Sequence, residues 1–325
     1  MLLAGSQRVA IIPHIRPDAD ALGSALALWH ALLSQHKAAA VLSGGSIPDT
    51  LRFLPGFHQL ITTASSDARD LLRACDLIVV CDTQEASLLG DWWPLIEGRM
   101  ETTPVIVIDH HRGTPAWGTA WIDQNASSTA EMVTTLLRTM DWPVSAATAQ
   151  CLAAGIIGDT SHFTNSNSTA EALEATAYLV RQGADLNAIS SYLDSAGRVA
   201  KVQLWGEALQ GIHSEYAGRY VSAAITQRML HRYGVEEHEI EGLSNFLRTI
   251  EGVAIAAVFF EQAPARIRVS LRAVAGYDVQ AIARRYPTGG GHQVAAGCTL
   301  DMNLDDAQRE IAQQVYAALA ARESP

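Results

Sequence analysis

The sequence has no run of about eighteen apolar residues, the length a membrane-spanning helix needs, so no span is expected. Only four cysteines occur among 325 residues, Cys75, Cys81, Cys151 and Cys298, and none forms a CxxC pair. That pattern argues against a zinc site and disulfides, and buried free thiols are the expectation. Basic residues are in deficit: 23 Lys and Arg stand against 34 Asp and Glu, a net charge of −11. A chain of that sign lacks the wide basic surface that long duplex nucleic acid requires. Internal repeats and low-complexity segments are also missing. The N-terminus, MLLAGSQRVAII, shows no charged region followed by a long apolar stretch and a cleavage site, so it reads as mature and cytoplasmic.

What is present is enough apolar material, 48% of residues, to bury a sizeable core, and a length that favours two domains. Short apolar runs at 8–13, 38–44, 76–81 and 104–109 read as strands covered on both faces. Helical spacing occupies 20–35, 65–74, 128–141, 145–157 and 168–183. Strands alternating with helices predict an α/β fold with a parallel sheet over residues 1–184. Ser128 and Glu131 have capping-box spacing at the start of 128–141 and read as structural. Residues 185–215 are helical in pattern without strands, a linker. From 216 to 325 longer, β-branched runs at 218–226, 252–262 and 265–274 alternate with helical stretches at 236–250, 278–285 and 304–322. The turn QAP at 262–264 predicts an antiparallel pair, within a smaller α+β domain.

Polar residues break the first domain's apolar pattern at telling places. His14, Asp18 and Asp20 follow the first strand in HIRPDAD. Asp82 closes DLIVVCD, Asp109, His110 and His111 close PVIVIDHH, and Asp159 sits in GIIGDT. Alone, each reads as a turn, a helix cap or a surface residue. Together they gather where ligands bind in parallel sheets, at the carboxyl ends of strands. Carboxylate oxygens and imidazoles suit a pair of hard divalent ions, and the four acids Asp18, Asp20, Asp82 and Asp159 would balance two such charges. His14 and Asp18 reach one ion, Asp20 the next, Asp82 lies between both, and His110 and Asp159 complete the second. Such a site activates water for attack on phosphorus. His111 stands ready to contact a phosphate oxygen or protonate the leaving oxygen, and Asp109 to orient a ligand histidine.

HIRPDADALGSALAL, VVCDT, VIDHH and GIIGDTSHF, in that order, resemble the four metal motifs of the DHH phosphoesterase superfamily. The resemblance implies a di-manganese phosphoesterase, with Mg²⁺ or Co²⁺ as alternative ions. His14, Asp18 and Asp82 would hold one ion, and Asp20, Asp82, His110 and Asp159 the other, with His111 facing the scissile phosphate. The family often has glycine after Asp-Thr in the fourth motif, where Ser161 stands here.

The second domain carries TGGGHQVAAG at 288–297. Glycines let backbone N–H groups approach an anion. Arg266, Arg268 and Arg272 alternate on a predicted strand and so share a face, and guanidinium groups grip phosphate in bidentate fashion. A tight turn and a solvated edge are the plainer readings of each feature alone. GGGH followed by AAG, with SLR at 270–272, resembles the DHH-associated C-terminal domain. Gly289, Gly290, Gly291 and His292 would form the substrate loop, with Arg272 at a terminal phosphate or base and Arg268 beside it. Thr288 stands where the family often has a fourth glycine.

Two domains at this length resemble the bacterial oligoribonuclease and pAp phosphatase group of that superfamily. The implied activity is hydrolysis of very short RNA (nanoRNA) to mononucleotides and removal of the 3′-phosphate of adenosine 3′,5′-bisphosphate (pAp). The partners implied are short oligonucleotides and small nucleotides. An apolar stripe on the linker helices would suit a homodimer. The alternatives are a cyclic or linear dinucleotide phosphodiesterase, a single-strand exonuclease, a pyrophosphatase, or an inactive nucleotide-binding module.

Overall fold

A computed structural model describes residues 2–62, 66–113, 115–193, 199–237, 240 and 242–323. It divides into two compact units, residues 1–195 and 196–325. The division falls within the expected linker, of which residues 194–198 lie outside the described residues.

The first unit begins with a helical turn, α1 (Leu2–Gly5), followed by β1 (Arg8–Pro13), α2 (Ala19–Ser34) and β2 (Ala38–Val41). Next come α3 (Ser66–Ala74), β3 (Leu77–Cys81), α4 (Trp93–Glu97), β4 (Val105–Asp109) and β5 (Thr119–Ile122). Four helices close it: α5 (Thr129–Thr139), α6 (Ala146–Asp159), α7 (Ala170–Arg181) and α8 (Leu186–Leu193). Every strand pair is parallel, in the order β2-β1-β3-β4-β5. Side chains alternate across β1 and β3. Val9, Ile11, Leu77 and Val79 enter one core with α2, α5, α6 and α7, while Ala10, Ile12, Ile78 and Val80 enter a second. Period-two alternation into two cores explains why these strands are apolar throughout. The chain leaves β1 to one side for β2 and to the other for β3. That reversal opens a crevice at the carboxyl ends of β1 and β3.

The second unit runs α9 (Val199–Gln210), β6 (His213–Glu215), β7 (Tyr220–Ile225), α10 (Gln227–Tyr233) and α11 (Leu243–Arg248). It continues through β8 (Ile255–Ala263), β9 (Arg266–Ala273), α12 (Val279–Ala283), β10 (Gly290–His292), β11 (Ala295–Leu300) and α13 (Leu304–Glu323). The sheet order is β10-β11-β9-β8-β7-β6, with β7 and β8 parallel and the other pairs antiparallel. This is the expected α/β architecture with a smaller α+β unit.

Four local readings need correction. The 185–215 segment is not purely helical, because His213–Glu215 pairs with β7 as an edge strand. The 236–250 helix covers only Leu243–Arg248 among the described residues, with 238, 239 and 241 outside them. Helix α6 extends through Asp159, so that side chain leaves a helix end and not a loop beyond it. The glycines of GGGH are not an open loop: Gly290–His292 forms edge strand β10 against β11. All four cysteines are free and buried, as the spacing implied. No helix among the described residues is long and apolar enough to cross a membrane.

Candidate metal centre

The site assembles at the β1/β3 crevice. Asp18 caps α2, its Oδ1 accepting from the Asp20 and Ala21 backbone N–H groups at 3.0 Å each. One residue into the helix, Asp20 turns the other way and is 1% exposed. Its oxygens accept from the N–H groups of Thr129 at 2.7 Å and Ala130 at 2.8 Å, the N-terminal turn of α5. Asp20 thus serves as a second cap for that helix, beside Ser128, which accepts from Glu131 N–H at 3.1 Å. Glu131 completes the cap one residue earlier than the usual box, accepting from Ser127 N–H at 2.8 Å. Asp82 follows β3 with φ of +64°, a left-handed conformation that aspartate tolerates better than most residues.

The two histidines point their Nε2 atoms inward for the same reason. His14 Nδ1 lies 2.9 Å from Ile15 O, and His110 Nδ1 lies 3.3 Å from Ala126 O. In the neutral ring, as a metal ligand requires, a proton on Nδ1 shared with a backbone carbonyl leaves the Nε2 lone pair facing the acids. His14 Nε2 is 3.6 Å from Asp82 Oδ2. His110 Nε2 is 3.6 Å from Asp82 Oδ1, 3.7 Å from Asp159 Oδ2 and 3.8 Å from Asp20 Oδ2. Each oxygen of Asp82 therefore faces a different histidine. His111 is gripped by Asp109, Nδ1 to Oδ1 at 2.7 Å, so the histidine that Asp109 orients is His111.

Three groups in this unit have donor atoms within 4.8 Å of one another: His14, Asp18 and Asp82; Asp20, Asp82 and His110; Asp82, Asp109 and His111. Asp82 belongs to all three. Burial, then the charges of Asp82, Asp159 and Asp18, push Asp20 well above the usual carboxylate range. Burial is also the main cause that lifts Asp159 to about 7, with Asp18 and Asp82 adding to it and His110 opposing it. For Asp82 burial works upward, yet the His14 hydrogen bond and the charges of His111, His110 and His14 carry it below the usual range. His111 rises to about 10: burial opposes its charge, but the Asp109 hydrogen bond and nearby carboxylates prevail. His14 rises to about 9, burial again opposing and Asp82 and Asp18 prevailing.

Buried carboxylates that raise one another fit a place for cations, since like charges in a poorly solvated site need a counter-charge among them. The donor set, carboxylate oxygens with imidazole Nε2, fits Mn²⁺, Co²⁺ or Mg²⁺ better than soft ions. Asp109 adds to the fit: it is fully buried, and its Oδ2 has no hydrogen-bond partner among the described residues.

Sequence reading missed the supports. Thr129 donates its hydroxyl to Asp82 Oδ1 at 2.9 Å. Asn167 donates to Asp159 Oδ2 at 3.0 Å and to Ser127 O at 2.9 Å. Gly155 lies where a Cβ would come within 2.6 Å of Ala130 Cβ and 2.9 Å of Asp20 Oδ1. A glycine inside a helix costs roughly 1 kcal/mol, and that cost was the one available signal for Gly155. Ser161, where the motif often has glycine, adopts φ of +46°, the region glycine enters without strain.

In the second unit Arg266, Arg268 and Arg272 do alternate with buried Ile267, Val269 and Leu271 along β9. The Arg272 Nε donates to Asn245 Oδ1 at 2.7 Å, and its Nη1 to Ser270 Oγ at 3.2 Å. Gly289 passes so close to Ala283 that a Cβ would fall 1.7 Å from its carbonyl oxygen, and Gly291 has φ of +122°. Those two glycines are needed by the backbone itself, whereas a Cβ on Gly290 would meet open space. His292 ends β10 and is half-buried.

Carboxylates and imidazoles gathered at the carboxyl edge of a parallel sheet, in a chain whose second unit carries an arginine-bearing strand, mark a metal-dependent hydrolase of phosphate esters. The chain belongs to the DHH family. The model described as "DHH family, N-terminal domain" matches residues 8–156, and the DHHA1 domain matches residues 218–317. A bifunctional oligoribonuclease and PAP phosphatase NrnA of Thermus thermophilus is 30% identical over 96% of this chain and 90% of its own length. The protein of the same name from Bacillus subtilis is 28% identical over 92% of this chain and 91% of its own. The cyclic-di-AMP phosphodiesterase GdpP of Geobacillus thermodenitrificans is 27% identical over 97% of this chain but only 48% of its own length. An exopolyphosphatase-related protein from Bacteroides fragilis shares the fold, with a TM-score of 0.89, 24% identity, and coverage of 96% of this chain and 92% of that one.

Proposed function

We propose that this phosphoesterase hydrolyses very short oligoribonucleotides to mononucleotides and removes the 3′-phosphate of pAp. The observation that carries the reading is Asp82, whose two oxygens face His14 and His110 at 3.6 Å each and so join two ligand groups. In this reading His14, Asp18 and Asp82 hold one divalent ion, and Asp20, Asp82, His110 and Asp159 hold a second, with Mn²⁺ the best match to mixed imidazole and carboxylate donors. Two ions so held supply Lewis acidity that activates water and neutralises charge on the phosphoryl oxygens. His111, kept cationic by Asp109, faces the scissile phosphate and holds a proton at Nε2 for the leaving oxygen. Arg268, Arg272 and the Gly289–Gly291 backbone with His292 bind the substrate's phosphate or base.

Support comes from the two NrnA relatives, which align along nearly their whole length. The net charge of −11 suits small anions held at local basic residues better than a long polymer. The test is incubation of purified protein and Mn²⁺ with a labelled dinucleotide and with pAp. Mononucleotides and inorganic phosphate are the expected products, and neither forming would sink the proposal. The similarity to GdpP favours one competing activity, cleavage of a linear or cyclic dinucleotide without action on pAp. The same assay, with a cyclic dinucleotide added, separates the two.

A further inference from the structure

We infer that Thr129 is a positioning residue for the metal centre: it fixes the separation and orientation of Asp20 and Asp82, two carboxylates from different elements that must meet one ion. The inference rests on the ligand assignment above. Thr129 is fully buried at the first position of α5 and makes two hydrogen bonds in two directions. Its backbone N–H donates to Asp20 Oδ2 at 2.7 Å, and its hydroxyl donates to Asp82 Oδ1 at 2.9 Å. Those same two oxygens are the ones that face His110 Nε2, at 3.8 and 3.6 Å. One residue therefore holds both carboxylates against one imidazole.

Among the described contacts, Thr129 alone donates hydrogen bonds to both acids. Rotation about the last side-chain bond of an aspartate is soft, so a hydrogen-bond donor on one oxygen selects its setting. A hydroxyl on Oδ1 does this. It keeps Oδ1 toward Asp20 and His110 and Oδ2 toward His14. A helix cap alone would not require threonine here, because Ser128 already caps α5 and the Asp20 bonds use backbone N–H groups. The side chain is thus left with Asp82 as its one hydrogen-bonded partner in the described contacts, and that partner is the residue shared by both proposed ions. Groups that orient ligands typically change metal affinity by about 10–100-fold when removed.

The two bonds can be separated, since side-chain substitution leaves the Thr129 N–H in place. Thr129→Val keeps the shape and removes the hydroxyl, and Thr129→Ser keeps the hydroxyl. Metal-free samples are titrated with Mn²⁺, free ion being read by electron paramagnetic resonance, with thermal unfolding of each metal-free variant as the control for folding. Thr129→Val is expected to bind Mn²⁺ at least about tenfold more weakly, Thr129→Ser within about threefold of the parent, and excess Mn²⁺ to restore turnover to Thr129→Val. Thr129→Ala repeats the measurement should the valine variant not fold. A Thr129→Val or Thr129→Ala protein that binds Mn²⁺ as the parent does overturns this inference while leaving the ligand assignment standing. A parent protein that takes up no Mn²⁺ overturns both.

Discussion

Asp82 shows at the scale of one residue how strand, backbone angle and charge converge. Strand β3 delivers it to the crevice, its backbone adopts a left-handed φ, and three histidines hold its carboxylate ionised. Asp82→Ala removes the acid common to the three ligand groups of the first unit. Turnover on pAp should fall at least about a hundredfold, the scale on which a group stabilising transition-state charge acts. Folding should survive, since the substitution deletes a buried charge and leaves the apolar cores untouched. Steady-state rates at saturating Mn²⁺, with a melting curve alongside, check both halves, and a variant that keeps its rate contradicts the shared role. Much of this residue's importance was visible in the sequence, because a charged side chain that ends DLIVVC breaks an apolar run at the point where ligands gather. Thr129 and Asn167 were not legible. Their bonds reach Asp20, Asp82 and Asp159 through the fold, across up to 109 positions in the case of Thr129 N–H and Asp20, and leave no local pattern.

At the element scale, the site depends on how closely α2, α5 and α6 pack. A Cβ at Gly23 would fall 2.4 Å from Cys151 O, one at Gly155 2.6 Å from Ala130 Cβ, and one at Gly158 2.8 Å from Ala19 Cβ. Small residues at these crossings let α6 carry Asp159 up to Asp20. Gly155→Ala should cost about 1–3 kcal/mol of stability through overpacking. It should also weaken Mn²⁺ binding, because the new methyl presses on Asp20. Unfolding in denaturant and a metal titration read the two effects, and a variant unchanged in both would mean the helices can move apart freely. Ser128→Ala offers a contrast. It loses one cap bond and should cost about 1 kcal/mol, with metal affinity little altered because Asp20 still caps the helix. Helices α2, α3, α5, α6 and α7 and the buried strands of the first unit were legible because period and caps agree with the final structure. Strand β5 was not, since Thr119, Ala120 and Trp121 are exposed and carry no buried alternation. Nor was β10, where three glycines and a histidine give a turn signal and the hairpin with β11 decides the conformation.

For the whole molecule, two units divide the chemistry-bearing residues: the acids and histidines of the metal centre lie within 1–195, and the arginines and glycines of the substrate-binding proposal within 196–325. The overall negative charge has a local meaning, because Asp18, Asp20, Asp82 and Asp159 are drawn from that total and placed together. The most direct measurement is the stoichiometry of divalent metal uptake, by calorimetric titration of metal-free protein with Mn²⁺. Two ions bound per chain, with thermal unfolding shifted upward as they bind, is the predicted result. A folded protein that binds no Mn²⁺, Co²⁺ or Mg²⁺ would contradict the account.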